Sequence, residues 1–242
     1  MLRMLFEILG YYAMNIMISI KNLSRFEWAL WGFSFVGVCL SFLLSPEKDY
    51  LSLIGSLIGV TALIFVAKGD VFGQVLTVVF SVFYGIVSFQ FHYYGEMITY
   101  LGMTTPIDIA SIVTWLRNPY SDKEVKVSIM TPKKMFWLLL ATIIVTVAFW
   151  FILGALGTAN LFMSTVSVFT SFAASALMMF RSPYYAVAYA GNDIVLIVLW
   201  VMASIEDPSY IPMIICFVMF LFNDIYAFIN WNRMRRRQLR GE

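Results

Sequence analysis

The sequence predicts an all-α integral membrane protein with eight transmembrane helices, arranged as one extra N-terminal helix followed by a 3+1+3 parallel repeat. The first observation is compositional: of the 242 residues, 61% are hydrophobic and only 12% are charged, whereas a soluble domain carries roughly 25% charged residues. Lipid must therefore cover the excess apolar surface. The second observation is a series of eight apolar runs, and the third is a motif that occurs twice.

Each apolar run approaches the roughly 20 residues that a helix needs to cross the hydrocarbon core of a bilayer. The runs are 27–45, 50–67, 70–90, 93–117, 133–153, 160–180, 183–204 and 208–231. The break between His92 and Glu96 is the least distinct, so the first residues of the fourth run are expected to lie outside the bilayer or unwound. Residues 1–26 are expected to form an interfacial segment, 118–132 a cytoplasmic linker and 232–242 a basic tail.

The distribution of Lys and Arg predicts the orientation of the chain, because cytoplasmic loops carry an excess of these residues. If both termini are cytoplasmic, fifteen of the sixteen basic residues fall on the cytoplasmic side, and only Lys48 falls outside. Shifting the count by one span would scatter the charges over both sides. The charge pattern therefore supports eight spans with both ends in the cytoplasm.

The motif M-x4-D-I-x5-W-x-R occurs in the fourth span, from Met103 to Arg117, and again in the eighth, from Met219 to Arg233. Every position is offset by 116 residues. A match that includes both Trp and Asp is unexpected by chance. The simplest explanation is the duplication of a three-helix unit.

In this interpretation residues 50–117 and 160–231 form two three-helix bundles. The single crossing at 133–153 joins them and gives both the same orientation, while the helix at 27–45 lies outside the repeat. Parallel repeats of this kind occur in transporters, with the binding site near the membrane midplane between the two halves.

Large polar and ionisable side chains inside a span are costly to bury, so each is a candidate functional residue. In the third span, five polar side chains at steps of three and four residues share one helical face: Gln74, Thr77, Ser81, Tyr84 and Ser88. The candidate substrate contacts in the whole chain are Gln90, Asn192, Asp193, Asn223, Asp224, Tyr84, Trp200 and Tyr226.

Three residues of the repeated motif have two interpretations each. Asp108 corresponds to Asp224 in the repeat, so the two form either a symmetric structural bond or part of the site. Trp115 and Trp231 lie at the predicted cytoplasmic border. They either anchor their helices at the membrane interface, as Trp often does, or take part in gating.

Several function classes are disfavoured by what the sequence lacks. It contains no P-loop and no metalloprotease motif, and Cys39, Cys216 and the single His92 cannot build a metal site. We therefore expect no catalytic residue, no metal and no cofactor. The basic tail is explained by topology and lipid contact, so no nucleic-acid partner is expected. An intramembrane aspartyl enzyme or a sensor is the alternative outside transport.

The polar residues of the spans offer amides, hydroxyls, carboxylates and aromatic faces, with no basic residue at depth. Such a lining suits a neutral or cationic solute with hydroxyl groups and a flat ring, because aromatic faces stack on the ring and attract a cation. An anionic phosphate ester fits poorly, since no buried Lys or Arg would meet it. The sequence thus predicts a carrier of a small polar solute.

The 3+1+3 plan, the aromatic-rich stretch F-Q-F-H-Y-Y-G from Phe89 to Gly95 and the sequence N-D-I-Y-A-F-I-N-W-N-R from Asn223 to Arg233 resemble the PnuC family of bacterial vitamin transporters. The resemblance covers spans two to eight. It implies a fold similar to that of the SWEET sugar transporters and a location in the bacterial inner membrane. By location, it also implies substrate contacts at Gln90, Asn192, Asp193, Asn223 and Asp224.

The function that this resemblance implies is facilitated diffusion of nicotinamide riboside, or of another B-vitamin precursor, which a cytoplasmic kinase then traps by phosphorylation. Alternating access would come from rocking of the two halves around a central site. Thiamine, riboflavin and a sugar stay open as alternative cargoes. A homo-oligomer also stays open, because the first helix is a plausible packing surface for a neighbour.

Overall fold

The computed structural model describes residues 19–21, 23–46, 48–90, 93–121, 124–158 and 160–241. They include nine α-helices: α1 (Arg25–Leu44), α2 (Tyr50–Ala67), α3 (Val71–Gln90), α4 (Tyr94–Ile98), α5 (Thr105–Leu116), α6 (Pro132–Ala155), α7 (Leu161–Met179), α8 (Tyr185–Glu206) and α9 (Ile211–Arg240). A π-helical segment, Thr99–Thr104, joins α4 to α5, and a 3₁₀ turn, Pro208–Tyr210, precedes α9. Two antiparallel strands, β1 (Pro119–Ser121) and β2 (Glu124–Val125), lie between α5 and α6.

Within the described residues, seven helices are long and apolar enough to cross a membrane: α1, α2, α3, α6, α7, α8 and α9. Capping residues set some of their starts. Ser24 and Glu27 form a capping box at α1, and the Asp49 carboxylate accepts hydrogen bonds from the first amides of α2. The predicted all-α membrane class is confirmed.

The fourth predicted run is helical from Tyr94 to Leu116 but is not one regular α-helix. In its π-helical middle, the Thr105 amide donates to the Tyr100 carbonyl five residues back. The cause lies at Pro106, which has no N–H and whose ring would clash with a carbonyl four residues earlier in a regular helix. Because the run is divided, none of its segments is by itself long enough to cross a membrane.

Six of the helical segments close into a ring. Along it, α2 contacts α3, α3 contacts α5, α5 contacts α7, α7 contacts α8, α8 contacts α9, and α9 contacts α2. The first helix of each predicted three-helix unit therefore packs against the last helix of the other unit. Outside the ring, α1 lies against α2 and α9, and α6 lies against α7.

The two ends of this bundle differ in charge. Lys68, Arg117 and Arg181 follow the ends of helices that point the same way as α9, and Arg233 lies in the last third of α9; this end of the bundle is called the basic face below. Lys48 lies in the connection between α1 and α2 at the other end, which is called the opposite face.

The predicted basic tail is a continuation of α9, which runs to Arg240. Its side chains hold the loop between α5 and α6: Gln238 donates to the Val125 carbonyl at 3.0 Å, and Arg237 pairs with Glu124. These contacts explain why the helix continues past the apolar run and through the predicted basic tail. Of the predicted interfacial segment, residues 1–18 and 22 lie outside the described residues.

Candidate functional site

A small cavity lies at the centre of the six-helix ring, with a volume of about 40 Å³. Its polar lining consists of Thr77, Ser81, Tyr100, Thr104, Tyr189, Asn192, Asp193 and Asp224. Its apolar lining consists of Gly59, Ala62, Leu63, Phe80, Met178, Phe217 and Phe220. Both predicted units contribute to it, and none of these described lining residues is Lys or Arg.

The side chain of Asn192 is held at the cavity wall by α7. Its Oδ1 accepts hydrogen bonds from the hydroxyls of Thr170 at 2.8 Å and Ser171 at 2.9 Å. Its amide nitrogen lies beside the Tyr100 hydroxyl. Because the amide oxygen is already bonded, the nitrogen is the part of Asn192 that a ligand acceptor would meet.

Two pairs of polar side chains lie at equivalent places in the two predicted units. In the first, Ser81 Oγ on α3 donates to Asp108 Oδ2 on α5 at 3.1 Å. In the second, Asp193 on α8 and Asp224 on α9 lie within hydrogen-bonding distance of each other, and this couple is called the acid pair below. No side chain of the four is more than 2% exposed. The middle helix of each unit thus faces the motif Asp of its last helix.

The two motif tryptophans join the units at the basic face. Trp115 Nε1 donates to the Met178 carbonyl at 3.0 Å, and Trp231 Nε1 donates to the Val66 carbonyl at 2.9 Å. Their rings lie 5.4 Å apart, and both side chains are 0% exposed. Anchoring at the membrane interface is therefore the wrong interpretation, since neither indole reaches the surface. Each bond instead crosses from one unit to the other.

The carbonyls that receive these bonds belong to two similar helix ends. The Val66 carbonyl also accepts from the Gly69 amide at 2.9 Å, and the Met178 carbonyl from the Arg181 amide at 2.8 Å. Gly69 and Arg181 both have positive φ, +71° and +59°. This left-handed cap suits Gly and is unusual for Arg.

Arg181 is held at this position by its side chain. Its guanidinium donates to the carbonyls of Lys126 and Thr114, each at 3.1 Å. Burial lowers the pKa of this guanidinium. The contacts tie the loop before α6 to the basic face, and they offset the strain of the left-handed cap.

An aromatic cluster closes the ring toward the opposite face. Trp200 Nε1 donates to the Tyr84 hydroxyl at 3.0 Å, and neither residue is more than 2% exposed. Tyr93, Tyr100 and Tyr210 pack around them. Tyr84 and Trp200, predicted as substrate contacts, therefore pair with each other beside the cavity and do not line it.

Three further predicted substrate contacts lie away from the central cavity. Gln90 is exposed at the end of α3. The Asn223 amide donates to Ser34 Oγ on α1 at 2.9 Å, and Tyr226 Oη donates to Glu27 on α1 at 2.7 Å. The reason is helical geometry: adjacent residues point about 100° apart, so Asp224 faces the cavity while Asn223 faces α1.

Tyr226 lines a second and larger cavity, of about 460 Å³, at the basic face. Glu27 and Lys68 form an ion pair at its wall, with a 3.0 Å N–O distance. Arg233 and Asp70 also line it. This cavity is charged and open, unlike the central one.

The sequence interpretation missed several residues of the central region. Tyr100 and Thr104 line the cavity from the π-helical segment, and Phe217 and Phe220 line it from α9. Glu96 is fully buried and accepts a hydrogen bond from Ser167 at 3.3 Å, although the stretch around it was expected outside the bilayer. The only sequence signal for the π-helical contribution was Pro106, which interrupts the run.

Comparison with known proteins places this geometry in a family. Residues 49–233 match the family model described as nicotinamide mononucleotide transporter. Two similar proteins carry the name nicotinamide riboside transporter PnuC. The one from Neisseria mucosa is 26% identical, with 88% of this chain and 83% of the relative covered. The one from Haemophilus influenzae is 24% identical, with 80% and 83% covered.

A solved structure, the crystal structure of the vitamin B3 transporter PnuC, superimposes with a TM-score of 0.79 at 24% identity, covering 89% of this chain and 94% of that one. At this identity the match establishes the fold. The family model covers well over half of the chain, and it agrees with the resemblance seen in the sequence. The protein therefore belongs to the PnuC family of membrane transporters.

Proposed function

We propose that the protein imports nicotinamide riboside across the bacterial inner membrane by facilitated diffusion. The observation that carries this proposal is the lining of the central cavity, which combines aromatic rings, amide and hydroxyl groups and carboxyl groups. Nicotinamide riboside has a flat cationic pyridinium ring and a ribose with hydroxyl groups. Phe80, Phe217 and Phe220 supply faces for the ring, and Asn192 supplies a donor for a hydroxyl or amide oxygen.

The same lining favours the riboside over the mononucleotide of the family description. A phosphate group would bring negative charge beside the acid pair. No Lys or Arg is among the described lining residues to neutralise it. An anion without a partner in a dry cavity is strongly disfavoured. The names of the two relatives, both riboside transporters, agree with this choice.

We infer eight crossings rather than seven. The stretch from α4 to α5 spans Tyr94 to Leu116, which at a helical rise corresponds to about 34 Å and matches a hydrocarbon core of about 30 Å. With that crossing, both termini lie on the side of the basic face. The excess of Lys and Arg at that face supports a cytoplasmic location for it.

The duplication of a three-helix unit is part of the same proposal. Its support comes from contacts that recur with nearly constant spacing. Each unit contains one tryptophan bond, one helix end that accepts such a bond, and one polar pair. Equivalent residues are 112 positions apart in the first and middle helices and 116 positions apart in the last helix. The proposed units are residues 50–117 and 160–231, joined by α6.

The proposed mechanism is alternating access. A ligand pocket normally holds roughly 300 Å³ or more, so a central cavity of about 40 Å³ cannot admit a nucleoside without rearrangement. The two units would rock apart at one face at a time. The tryptophan bonds would open at the basic face, and the pair of Tyr84 and Trp200 would open at the opposite face. A cytoplasmic kinase would trap the imported riboside by phosphorylation, so that net uptake would occur although the carrier itself uses no ATP.

Binding and flux measured on purified protein test this proposal. Nicotinamide riboside should bind, and its mononucleotide at the same concentrations should not. In proteoliposomes, the riboside should equilibrate without ATP or an ion gradient. If thiamine binds and the riboside does not, the proposed cargo is wrong; if a substrate is converted without being moved, the carrier function is wrong.

A further inference from the structure

The polar pairs of the two predicted units differ at one buried position: where the first has Ser81 against Asp108, the second has Asp193 against Asp224. We propose that the acid pair is a charge-recognition site in which the positive charge of the ligand replaces a proton. The proposal rests on the proposed function, because it concerns how a cationic pyridinium nucleoside is selected in the central cavity.

The geometry of the acid pair supports this role. Asp193 and Asp224 come from neighbouring helices, line the central cavity and are each 2% exposed. Their carboxyl groups lie within hydrogen-bonding distance of each other. Asp193 Oδ2 and Asp224 Oδ1 are buried and receive no hydrogen bond from another described residue.

Two ionised carboxylates are both acceptors, so a hydrogen bond between them requires a proton on at least one. With one shared proton the pair still carries a negative charge. Such a charge is strongly disfavoured in a dry cavity unless it is paired. Without a ligand, a second proton neutralises the pair. When a cation binds, its charge takes over this task and one proton leaves to water.

The groups that face the acid pair supply no alternative positive charge. Tyr185 and Tyr189 from α8 lie near Asp224, and Tyr100 and Cys216 lie near Asp193. All four are neutral when protonated. Among the described residues, α7 contributes no titratable side chain to the contact, and α3 contributes only a Tyr.

The first unit shows what the extra carboxyl group adds. Asp108 receives a hydroxyl donor from Ser81, and it does not line the cavity. Glu96, another buried acid of this unit, likewise receives a hydroxyl donor, from Ser167. Only the second unit places two carboxyl groups together at the cavity wall.

Calorimetry with two ligands of matched shape tests the proposal. Nicotinamide riboside is a cation, and its dihydro form is neutral. Titrations in buffers of different ionisation enthalpy report the number of protons released on binding. For the riboside we expect about one proton released per ligand, and an affinity that rises about tenfold per pH unit over the range in which the free pair holds its second proton. The dihydro form should bind with no proton release.

Two variants sharpen the test. In Asp193→Asn, Asp224 is the one carboxyl group left in the pair, and by the same reasoning a proton neutralises it until the cation binds, so the riboside should still release about one proton. In the double variant Asp193→Asn with Asp224→Asn, the preference for the cation over the dihydro form should disappear.

The proposal is overturned if the wild type binds the riboside with no proton release and a flat pH dependence, or if the double variant keeps the preference for the cation. Either result leaves the proposed transport of the riboside standing. If the wild type binds neither the riboside nor its dihydro form, the proposed function itself fails, and this inference fails with it.

Discussion

Replacing Trp231 by Phe removes one of the two tryptophan hydrogen bonds that join the three-helix units at the basic face. The Phe ring keeps the packing against Trp115 and Tyr185, whose rings lie 5.4 and 5.0 Å away. The variant therefore removes the indole N–H together with part of the buried indole ring. If these bonds hold the basic face closed, their loss should raise the population that is open at this face.

The free-energy cost of losing this hydrogen bond depends on what happens to its acceptor, the Val66 carbonyl. The Val66 carbonyl keeps its second hydrogen bond, from the Gly69 amide, so it is not left without a donor. The hydrogen-bond part of the cost is then that of one ordinary hydrogen bond, about 1 kcal/mol, and not the larger penalty of an orphaned carbonyl. About 1 kcal/mol corresponds to about a fivefold change in the ratio of open to closed protein.

Labelling of a single cysteine measures that ratio. In a background with Cys39→Ala and Cys216→Ala, Thr77→Cys places a thiol at the cavity, on the half of α3 nearer the basic face. A membrane-impermeant maleimide added on that side should react about fivefold faster in Trp231→Phe. Trp137→Phe is the matched control, because Trp137 is 57% exposed on α6.

Trp115→Phe should give a similar acceleration, since the Met178 carbonyl also keeps a second donor. The control should leave the rate unchanged. If Trp231→Phe folds with an unchanged melting temperature and labels at the wild-type rate, the indole bonds do not hold the basic face closed. The gating role of the tryptophans would then be refuted.

Two further predictions concern the site and the packing. Asn192→Ala should weaken the binding of nicotinamide riboside by about tenfold or more, because it removes a fixed donor at the cavity; calorimetry measures this affinity. Asn223→Ala is the control, because the Asn223 amide faces α1. It should change the affinity by less than about twofold. Gly73→Ala should destabilise the protein by about 2 kcal/mol or more, because the new Cβ would lie 2.4 Å from the Val66 backbone nitrogen. A denaturation series measures this loss. Gly102→Ala is the neutral control, because a Cβ at that position has its nearest contact at 3.8 Å.

The positions of the membrane helices were readable from the sequence because each needs a long apolar run, and turn-forming residues mark the ends. Two helical segments depart from the pattern of apolar runs, and each departure has a local cause. The fourth run is divided because Pro106 cannot take its place in a regular hydrogen-bond ladder. The last helix extends to Arg240 because Gln238 and Arg237 find partners on the neighbouring loop, which no apolar pattern encodes.

The candidate site was less readable, because composition tells which residues are costly to bury but not which way they face. Asn223 and Asp224 are adjacent and equally polar, yet they face α1 and the cavity respectively. Tyr84 and Trp200 are large residues with polar groups deep inside their spans, yet they do not line the cavity, because the Trp200 N–H donates to the Tyr84 hydroxyl. Asp193, Asp224 and Asn192 were predicted and do line the cavity, although their contact with a ligand stays a prediction.

Comparison of the two units separates features that build the fold from features that select a ligand. What recurs, such as the tryptophan bonds, serves the fold and its movement; what differs, such as Asp193 in place of a Ser, is where function is expected. Asp193→Ser would give the second unit the polar pair of the first. Since Ser81 already bonds Asp108 at 3.1 Å between equivalent helices, the variant should fold, with a loss of stability of about 1 kcal/mol or less.

The ligand behaviour of Asp193→Ser follows from the same equivalence. Asp224 would keep one carboxyl group with a hydroxyl donor, so the riboside should still bind and should still displace about one proton. Calorimetry in two buffers measures this directly, and thermal melting measures the stability. A variant that melts far below the wild type would show that the two pairs are not equivalent, and the duplication argument would lose its chemical support. A variant that folds but no longer binds would show that the riboside needs both carboxyl groups, and the prediction that one carboxyl group suffices for binding would be wrong.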